Sequence, residues 1–192
     1  MALIPKFVLE ARAAWLGRKI LPFVPVGSKV LDFGCGDMLV SEFLFEQGVT
    51  EITGTDIFDF RGAAAKHFPF VQCSLRALPF RDREFDVVLV CFVLHHIRQA
   101  DQKQVLQELA RVAKKIVLVE DVYDTGLERI GVCVCDFIGN KLLSSFRIPT
   151  PFSFRKISNW VRMLNRDFGR VGSVEVFKSM LRAKHAVFSV DT

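Results

Sequence analysis

The feature that most constrains this chain is a short apolar segment that ends in an acidic residue and runs directly into a glycine loop. It reads Val-Leu-Asp-Phe-Gly-Cys-Gly-Asp over residues 30–37. Glycine has no side chain to hold a ligand away and readily takes positive φ, so backbone in such a loop can approach a bound molecule closely. In open α/β sheets, ligands bind at the carboxyl ends of strands, where the strand order reverses. The segment therefore predicts a buried strand followed by a binding loop for a nucleotide-like ligand.

Strand and helix patterns alternate from this loop as far as residue 121. The predicted strands are 29–32, 51–56, 70–73, 85–90 and 115–119, and the predicted helices are 38–46, 58–67 and 101–113. This alternation favours a parallel sheet with right-handed crossovers. An N-terminal helical pattern over residues 5–25 precedes it, and Gly17, Pro22 and Pro25 interrupt or close that pattern.

Residues 122–150 break the rhythm and are predicted to be an insertion, helical in part. A helix over residues 153–164 follows, with Ser153 as its candidate N-cap. Two strands, 171–177 and 185–190, close the chain. Because the connection between them is short, we expect them to be antiparallel neighbours. We expect one domain over residues 1–192, with residues 1–28 as an N-terminal helix and linker.

The composition is that of a folded globular protein, with 51% hydrophobic residues and 19 phenylalanines among 192 residues. No apolar run approaches the length of a membrane span. Lys6, Glu10 and Arg12 interrupt any candidate signal-peptide core. We therefore expect a cytoplasmic protein without a membrane span.

The five cysteines are an odd number, and their spacing matches no usual zinc motif. They stand at positions 35, 73, 91, 133 and 135. We expect reduced, mostly buried thiols and no metal site.

The net charge of +5 is unevenly distributed. Residues 141–192 carry ten Lys or Arg against three Asp or Glu, a net charge of +7, which leaves −2 for residues 1–140. A basic C-terminal third can attract an anionic partner, but a solvated basic face is the favoured interpretation.

Two ligand classes compete for the glycine loop. A nicotinamide dinucleotide requires G-x-G-x-x-G, and Leu39 stands where the third glycine should be. S-adenosylmethionine has no phosphate; it needs close backbone for its methionine part and an acid for its two ribose hydroxyls. Asp56 ends the second predicted strand and can accept both hydroxyl protons.

At this point the sequence resembles the class I S-adenosylmethionine-dependent methyltransferases, and within them the small-molecule branch that includes the ubiquinone and menaquinone biosynthesis enzymes. The matching pieces are Val-Leu-Asp-Phe-Gly-Cys-Gly at 30–36, Thr-Gly-Thr-Asp at 53–56, Leu-Pro-Phe at 78–80, Phe-Asp-Val-Val at 85–88, Val-Leu-His-His-Ile at 93–97, and Glu-Leu-Ala-Arg-Val at 108–112 leading into Ile-Val-Leu-Val-Glu at 116–120. Each piece is weak alone, but six in order at the right spacing are specific.

The resemblance implies an α/β, Rossmann-like, doubly wound sheet of seven strands, mostly parallel with the last strand antiparallel, and with helices on both faces. It also implies S-adenosyl-L-methionine as cofactor. The cofactor-binding residues that it implies are Asp32, Gly34 and Gly36 at the methionine part, Asp56 at the ribose, Ile57, Ser74 and Leu75 at the adenine, and Cys91 and Phe92 at the methyl end.

Three departures from the family pattern stand out. Met38 replaces a frequent glycine and could crowd the loop. Ser74 replaces an acid often found at the adenine. The Lys-Pro-Gly-Gly turn before the fifth strand is missing, since residues 111–115 run straight on.

Methyl transfer from a sulfonium is an in-line displacement that depends mainly on the alignment of donor and acceptor. An acceptor hydroxyl would benefit from a general base. His95 and His96 are the candidate catalytic bases, of which at most one can face the site, and a purely structural role for both stays open. Glu120 and Asp121 end the fifth predicted strand at the same crevice.

The predicted insertion would form a lid over the acceptor pocket. Its phenylalanines and those that follow it suggest an apolar or aromatic small molecule as acceptor, namely Phe137, Phe146, Phe152 and Phe154. Two alternatives remain: an RNA or DNA methyltransferase that uses the basic C-terminal third, and an inactive methyltransferase-like binding protein.

Overall fold

The computed structural model describes residues 5–74, 76–144, 150–168, 171–178 and 183–192, and the side chains of these residues apart from 140–144. Leu75, with its expected adenine contact, and Phe146, with its expected pocket role, lie outside the described residues.

The described residues form seven strands and five α-helices. The strands are β1 (Lys29–Phe33), β2 (Glu51–Asp56), β3 (Phe70–Gln72), β4 (Val87–Cys91), β5 (Lys115–Val122), β6 (Val171–Lys178) and β7 (Lys184–Asp191). The helices are α1 (Lys6–Ile20), α2 (Leu39–Glu46), α3 (Gln99–Val112), α4 (Gly126–Ser144) and α5 (Ile157–Phe168). Short 3₁₀ turns cover Leu21–Phe23, Ala64–His67 and Leu94–His96.

The strands form one sheet in the order β3-β2-β1-β4-β5-β7-β6. All neighbours pair in parallel except β7, which is antiparallel to both β5 and β6. The predicted fold class is confirmed. The strand order reverses between β1 and β4, so their carboxyl ends open the crevice where doubly wound sheets bind ligands.

Helices cover both faces of the sheet. Buried side chains of α1 and α2 pack on one face, and those of α3 and α5 pack on the other. They include Leu16, Ile20 and Leu44 on the first face and Leu106, Leu109 and Trp160 on the second. β4 is buried from Val87 to Val90, as its continuous apolar sequence predicted.

Gly17 does not interrupt the N-terminal helix, contrary to the sequence interpretation. It lies inside α1 at the contact with α2, where an added Cβ would stand 2.1 Å from Phe43 Cδ1. The glycine is therefore required by the close approach of two helices rather than by a helix end.

Two predicted helices differ from the structure. Of residues 58–67, only Ala64–His67 is helical, as a 3₁₀ turn. Asp59 accepts hydrogen bonds from the backbone and guanidinium of Arg61, and such local bonding competes with a helix. Ser153 is not an N-cap, because α5 begins four residues later at Ile157; its backbone N–H donates instead to the His95 carbonyl.

The fifth strand is longer than predicted and continues through Glu120 and Asp121 to Val122. Its register with β7 runs without interruption from Lys115 to Val122. The antiparallel partner extends the strand beyond the point at which the apolar sequence ends.

Candidate active site

The glycine loop after β1 is held against the end of β2. The backbone N–H groups of Gly34 and Cys35 both donate to the Thr55 carbonyl, at 2.8 and 3.1 Å. Gly34 and Gly36 have φ values of 68° and 53°. A Cβ at Gly34 would collide with Val93, whereas a Cβ at Gly36 would meet no atom within 4 Å. Val93 therefore fills the space beside Gly34, whereas the space beside Gly36 is open.

Asp56 lies directly beside this opening. One carboxylate oxygen accepts the Gly36 N–H at 3.0 Å and the other accepts the Ile57 N–H at 2.6 Å. Burial raises the pKa of Asp56, and the backbone hydrogen bonds act in the opposite direction. The Phe58 N–H also hydrogen-bonds to this carboxylate, so three of its roughly four acceptor positions are used and one is left for a ligand hydroxyl.

Asp32 is buried one residue before the end of β1. Its carboxylate accepts a 2.6 Å hydrogen bond from the hydroxyl of Ser41, in the first turn of α2. Burial raises the pKa of Asp32 to about 7, although the Ser41 hydrogen bond favours the charged form. The pair ties the strand to the helix across the loop. Sequence reasoning missed Ser41, whose only signal was a hydroxyl soon after the loop.

Met38 takes the left-handed conformation that a glycine would favour, with φ 62°. Its side chain is completely buried. A Cβ placed at Gly54 would lie 2.7 Å from Met38 Sδ, which puts the sulfur beneath β2. The side chain is therefore packed in the core and does not crowd the ligand side of the loop.

Ser74 and Ile57 continue from the carboxyl ends of β3 and β2. The Cys73 N–H donates to the Asp56 carbonyl, which keeps the two chain segments together beyond the strands. Ser74 is exposed, and its hydroxyl accepts the Arg76 N–H at 3.4 Å. Both residues lie at the edge that the resemblance assigned to the adenine.

The end of β4 carries Cys91 and Phe92. Burial, with Asp32 and Glu120 nearby, holds the pKa of the Cys91 thiol well above its ordinary value, so it stays protonated. Phe92 has φ 59°, and its ring lies 5.3 Å below the guanidinium carbon of Arg12 from α1. The N-terminal helix therefore borders the crevice at this end.

Next along the chain, the 3₁₀ turn Leu94–His96 presents both histidines. The buried Glu120 carboxylate accepts hydrogen bonds from the Leu94 N–H and from His95 Nδ1, both at 2.7 Å. His95 Nε2 lies 3.4 Å, and His96 Nε2 3.8 Å, from the same oxygen of Asp136 in α4. Asp136 was not among the sequence candidates.

The two histidines differ in environment. Burial opposes the charged form of His95, but Glu120 and Asp136 more than offset it and raise its pKa to about 10. Phe154 stacks on its ring at 4.7 Å. The two carboxylates thus favour the charged form of the buried His95 ring, whereas the His96 side chain keeps 17% of its surface exposed.

An apolar groove of about 560 Å³ runs along α4. Its walls are Gly126, Arg129, Ile130, Cys133, Val134, Phe137 and Phe152. Phe137 and Phe152 line this groove, whereas Phe154 packs on His95.

The basic C-terminal third is partly neutralised within the described residues. Lys184 pairs with Asp124 and Glu128, and Arg166 pairs with Asp167.

Among the described residues, none of the helices has both the length and the apolar character that a membrane span requires.

Residues 31–118 match a family model described as "Methyltransferase domain". Over this segment, which is a little under half of the chain, the sequence is similar to methyltransferase domains. The match supports S-adenosylmethionine as the cofactor.

Curated relatives lead to the same class of methyltransferase domain. Over 104 residues the chain is 35% identical to the ubiquinone/menaquinone biosynthesis C-methyltransferase UbiE of Xanthomonas campestris. The alignment covers 47% of this chain and 40% of that protein. The chain thus spans less than half the length of the relatives that it matches.

Solved structures show the methyltransferase fold over nearly the whole chain. The PH0226 protein from Pyrococcus horikoshii has a TM-score of 0.72 at 18% identity, covering 95% of this chain and 90% of that one. Magnesium protoporphyrin IX methyltransferase from Synechocystis, solved with bound SAH, has a TM-score of 0.67 at 18% identity, covering 95% and 83%. At these identities the likeness concerns the fold alone.

Proposed function

We propose that this chain is an S-adenosylmethionine-dependent methyltransferase that acts on a small apolar or aromatic molecule. One observation carries the cofactor part of the proposal. The space above Gly36 is open, and the Asp56 carboxylate lies at its edge. Backbone for the methionine part and an acid for the ribose are thus adjacent.

The proposed cofactor contacts are those that the resemblance to the family implies, and Leu75 among them lies outside the described residues. Gly34, Gly36 and Asp32 order the loop at the methionine part, and Asp56 binds the ribose. Ile57, Ser74 and Leu75 meet the adenine, and Cys91 and Phe92 meet the methyl end. No covalent nucleophile is needed, because the sulfonium is already an activated leaving group.

The acceptor class rests on the groove beside α4. Its lining is almost entirely apolar, and α4 follows β5 at the carboxyl end of the sheet, where the crevice lies. Residues 122–150 would act as a lid over this acceptor site within a single domain. The relatives' printed name, a C-methyltransferase of quinone biosynthesis, agrees with an aromatic acceptor.

His96 is the proposed base for an acceptor hydroxyl. It lies on the turn that follows β4, and it is the more exposed of the two histidines. His95 is the positioning residue, since Glu120 and Phe154 fix its ring.

Calorimetric titration of the full chain with S-adenosylmethionine tests the cofactor assignment. We expect one site per chain, lost in Asp56→Ala and kept in the control Asp59→Ala, whose carboxylate is paired with Arg61 and Lys66. Absence of binding to the folded wild type would reject the proposal. Methyl transfer to RNA or DNA but to no small aromatic acceptor would reject the acceptor class.

A further inference from the structure

Three side chains that could ligate a metal converge where α4 meets the turn after β4. We call them the His–His–Asp cluster: His95, His96 and Asp136. One ligand atom from each lies within 4.8 Å of the other two. Two of the side chains come from one 3₁₀ turn, and the third comes from a helix 40 residues later in the chain. The fold, rather than a sequence motif, therefore assembles the cluster.

The distances from the Asp136 oxygen to the two imidazole nitrogens are close to the ligand–ligand distances of a tetrahedral zinc site. Zinc binds imidazole nitrogen and carboxylate oxygen at about 2.0–2.2 Å, so ligand atoms of a tetrahedral site lie about 3.3–3.5 Å apart. The Asp136 oxygen is 3.4 Å from His95 Nε2 and 3.8 Å from His96 Nε2. All three ligand atoms lie within 4.8 Å of one another, so the two imidazoles would close on one ion by a side-chain adjustment of about 1 Å or less.

The surroundings of His95 are those of a metal-binding histidine. Such histidines donate their other ring N–H to a carboxylate, which fixes the tautomer and the ring plane. Here Glu120 accepts from Nδ1 at 2.7 Å and Phe154 stacks on the ring, leaving Nε2 directed toward Asp136. The three side chains are only 2%, 17% and 8% exposed, so an ion held there would be largely shielded from water.

We propose that the His–His–Asp cluster binds a zinc ion that joins α4 to the core of the sheet. Two imidazoles and one carboxylate are a known zinc donor set, and with three protein ligands the fourth position accepts water or a substrate oxygen. Imidazole favours zinc over magnesium or calcium, which prefer oxygen ligands. Both imidazoles must be neutral to bind the ion, so zinc would displace the Nε2 proton of His95. With the ion in place, His96 would be a ligand and not the base, and the ion would instead polarise an acceptor oxygen.

Zinc titration of metal-free full-length protein tests this proposal without any activity measurement. We expect one ion per chain by calorimetry, and Co²⁺ as a visible probe competing for the same site. Asp136→Asn and His96→Gln should each weaken zinc binding by about tenfold or more. His67→Gln, at an exposed histidine on another turn, should leave it unchanged.

Cysteines on α4 are the principal alternative ligands, so the titration is repeated with Cys133→Ser/Cys135→Ser. Unchanged binding in this variant supports the cluster, and loss of binding there overturns it. The proposal also falls if folded wild type takes up no zinc, or if binding survives His96→Gln and Asp136→Asn together. In that case the cluster is an ion-pair network only.

Amide hydrogen exchange supplies a second readout. If zinc fastens α4 to the turn after β4, exchange over residues 126–139 should slow on zinc addition in the wild type and not in Asp136→Asn. Unchanged exchange in zinc-saturated wild type would contradict the fastening role. S-adenosylmethionine binding is measured in parallel: failure of zinc binding leaves the proposed function standing, and failure of cofactor binding leaves the metal site standing.

Discussion

Met38 occupies the space that the absent side chain of Gly54 leaves beneath β2. The sulfur would lie 2.7 Å from a Cβ at position 54, and Cys35 Sγ would lie 3.0 Å from it. Gly54 does not have a positive φ, so space rather than backbone conformation requires the glycine. Met38 and Gly54 therefore depend on each other, because the long side chain of Met38 fits only where residue 54 has no side chain.

Gly54→Ala should destabilise the protein by about 1–3 kcal/mol, because the new methyl group overpacks a filled site. In a Met38→Ala background the same substitution should cost less, since the cavity accepts the methyl. Urea unfolding of the four proteins gives the coupling energy directly. A coupling indistinguishable from zero would show that the two positions are independent.

Gly36→Ala should abolish or strongly weaken S-adenosylmethionine binding while the protein still folds. The added Cβ points into open space, and the left-handed conformation costs about 1–2 kcal/mol for a non-glycine residue. Gly27→Ala is the matched control, since Gly27 also has positive φ and no atom within 4 Å. Equal cofactor affinity in both variants would place the ligand elsewhere.

Asp32 should make the free protein less stable as pH rises from about 4 to 7. Its pKa is raised to about 7 in the folded state, so the folded protein binds more protons than the unfolded chain in this window. The contribution is fully present below the unfolded pKa and is lost as pH rises through the folded pKa, at about 1.4 kcal/mol per pH unit at most. The free energy of unfolding of Asp32→Asn should show a shallower slope over the same window; an identical slope would assign the titration to other groups.

Gly17→Ala should destabilise the protein although alanine is the better helix former. The Cβ would collide with the Phe43 ring at the contact of α1 with α2. Gly131→Ala in α4 is the counterpart, because nothing lies within 4 Å of its Cβ, and it should stabilise by about 0.5–1 kcal/mol. Thermal unfolding of both variants measures the two stability changes, which should have opposite signs. Stabilisation by Gly17→Ala would mean that α1 is not held in this position.

Val134→Lys should raise KM for an apolar acceptor and leave cofactor affinity unchanged, since Val134 lines the groove of α4. Leu127→Lys is the control on the same helix; Leu127 is 83% exposed and does not line the groove. Steady-state kinetics of the two variants, measured with an apolar acceptor identified by screening, compare their KM values. Equal effects of the two lysines would argue for a general role of the exposed helix face.

The local sequence pattern was sufficient to predict most strands of the sheet, because buried strands such as Val87–Cys91 have continuous apolar sequences. The glycine loop and Asp56 were also accessible, since each requires a particular residue type at a strand end. What escaped prediction depends on distant partners. Asp136 meets His95 only through the path of α4, and Gly17 reads as a helix breaker until Phe43 is placed against it.

The β5–β7 register has a practical consequence for the limits of this domain. The family match ends at residue 118, yet β5 runs to Val122 and all of its residues are aligned with β7, near the end of the chain. A fragment trimmed to the matched segment would leave an eight-residue central strand truncated and its hydrogen-bonding edge bare, a state prone to self-association. The segment that matches the family model is therefore shorter than the segment needed to complete the sheet.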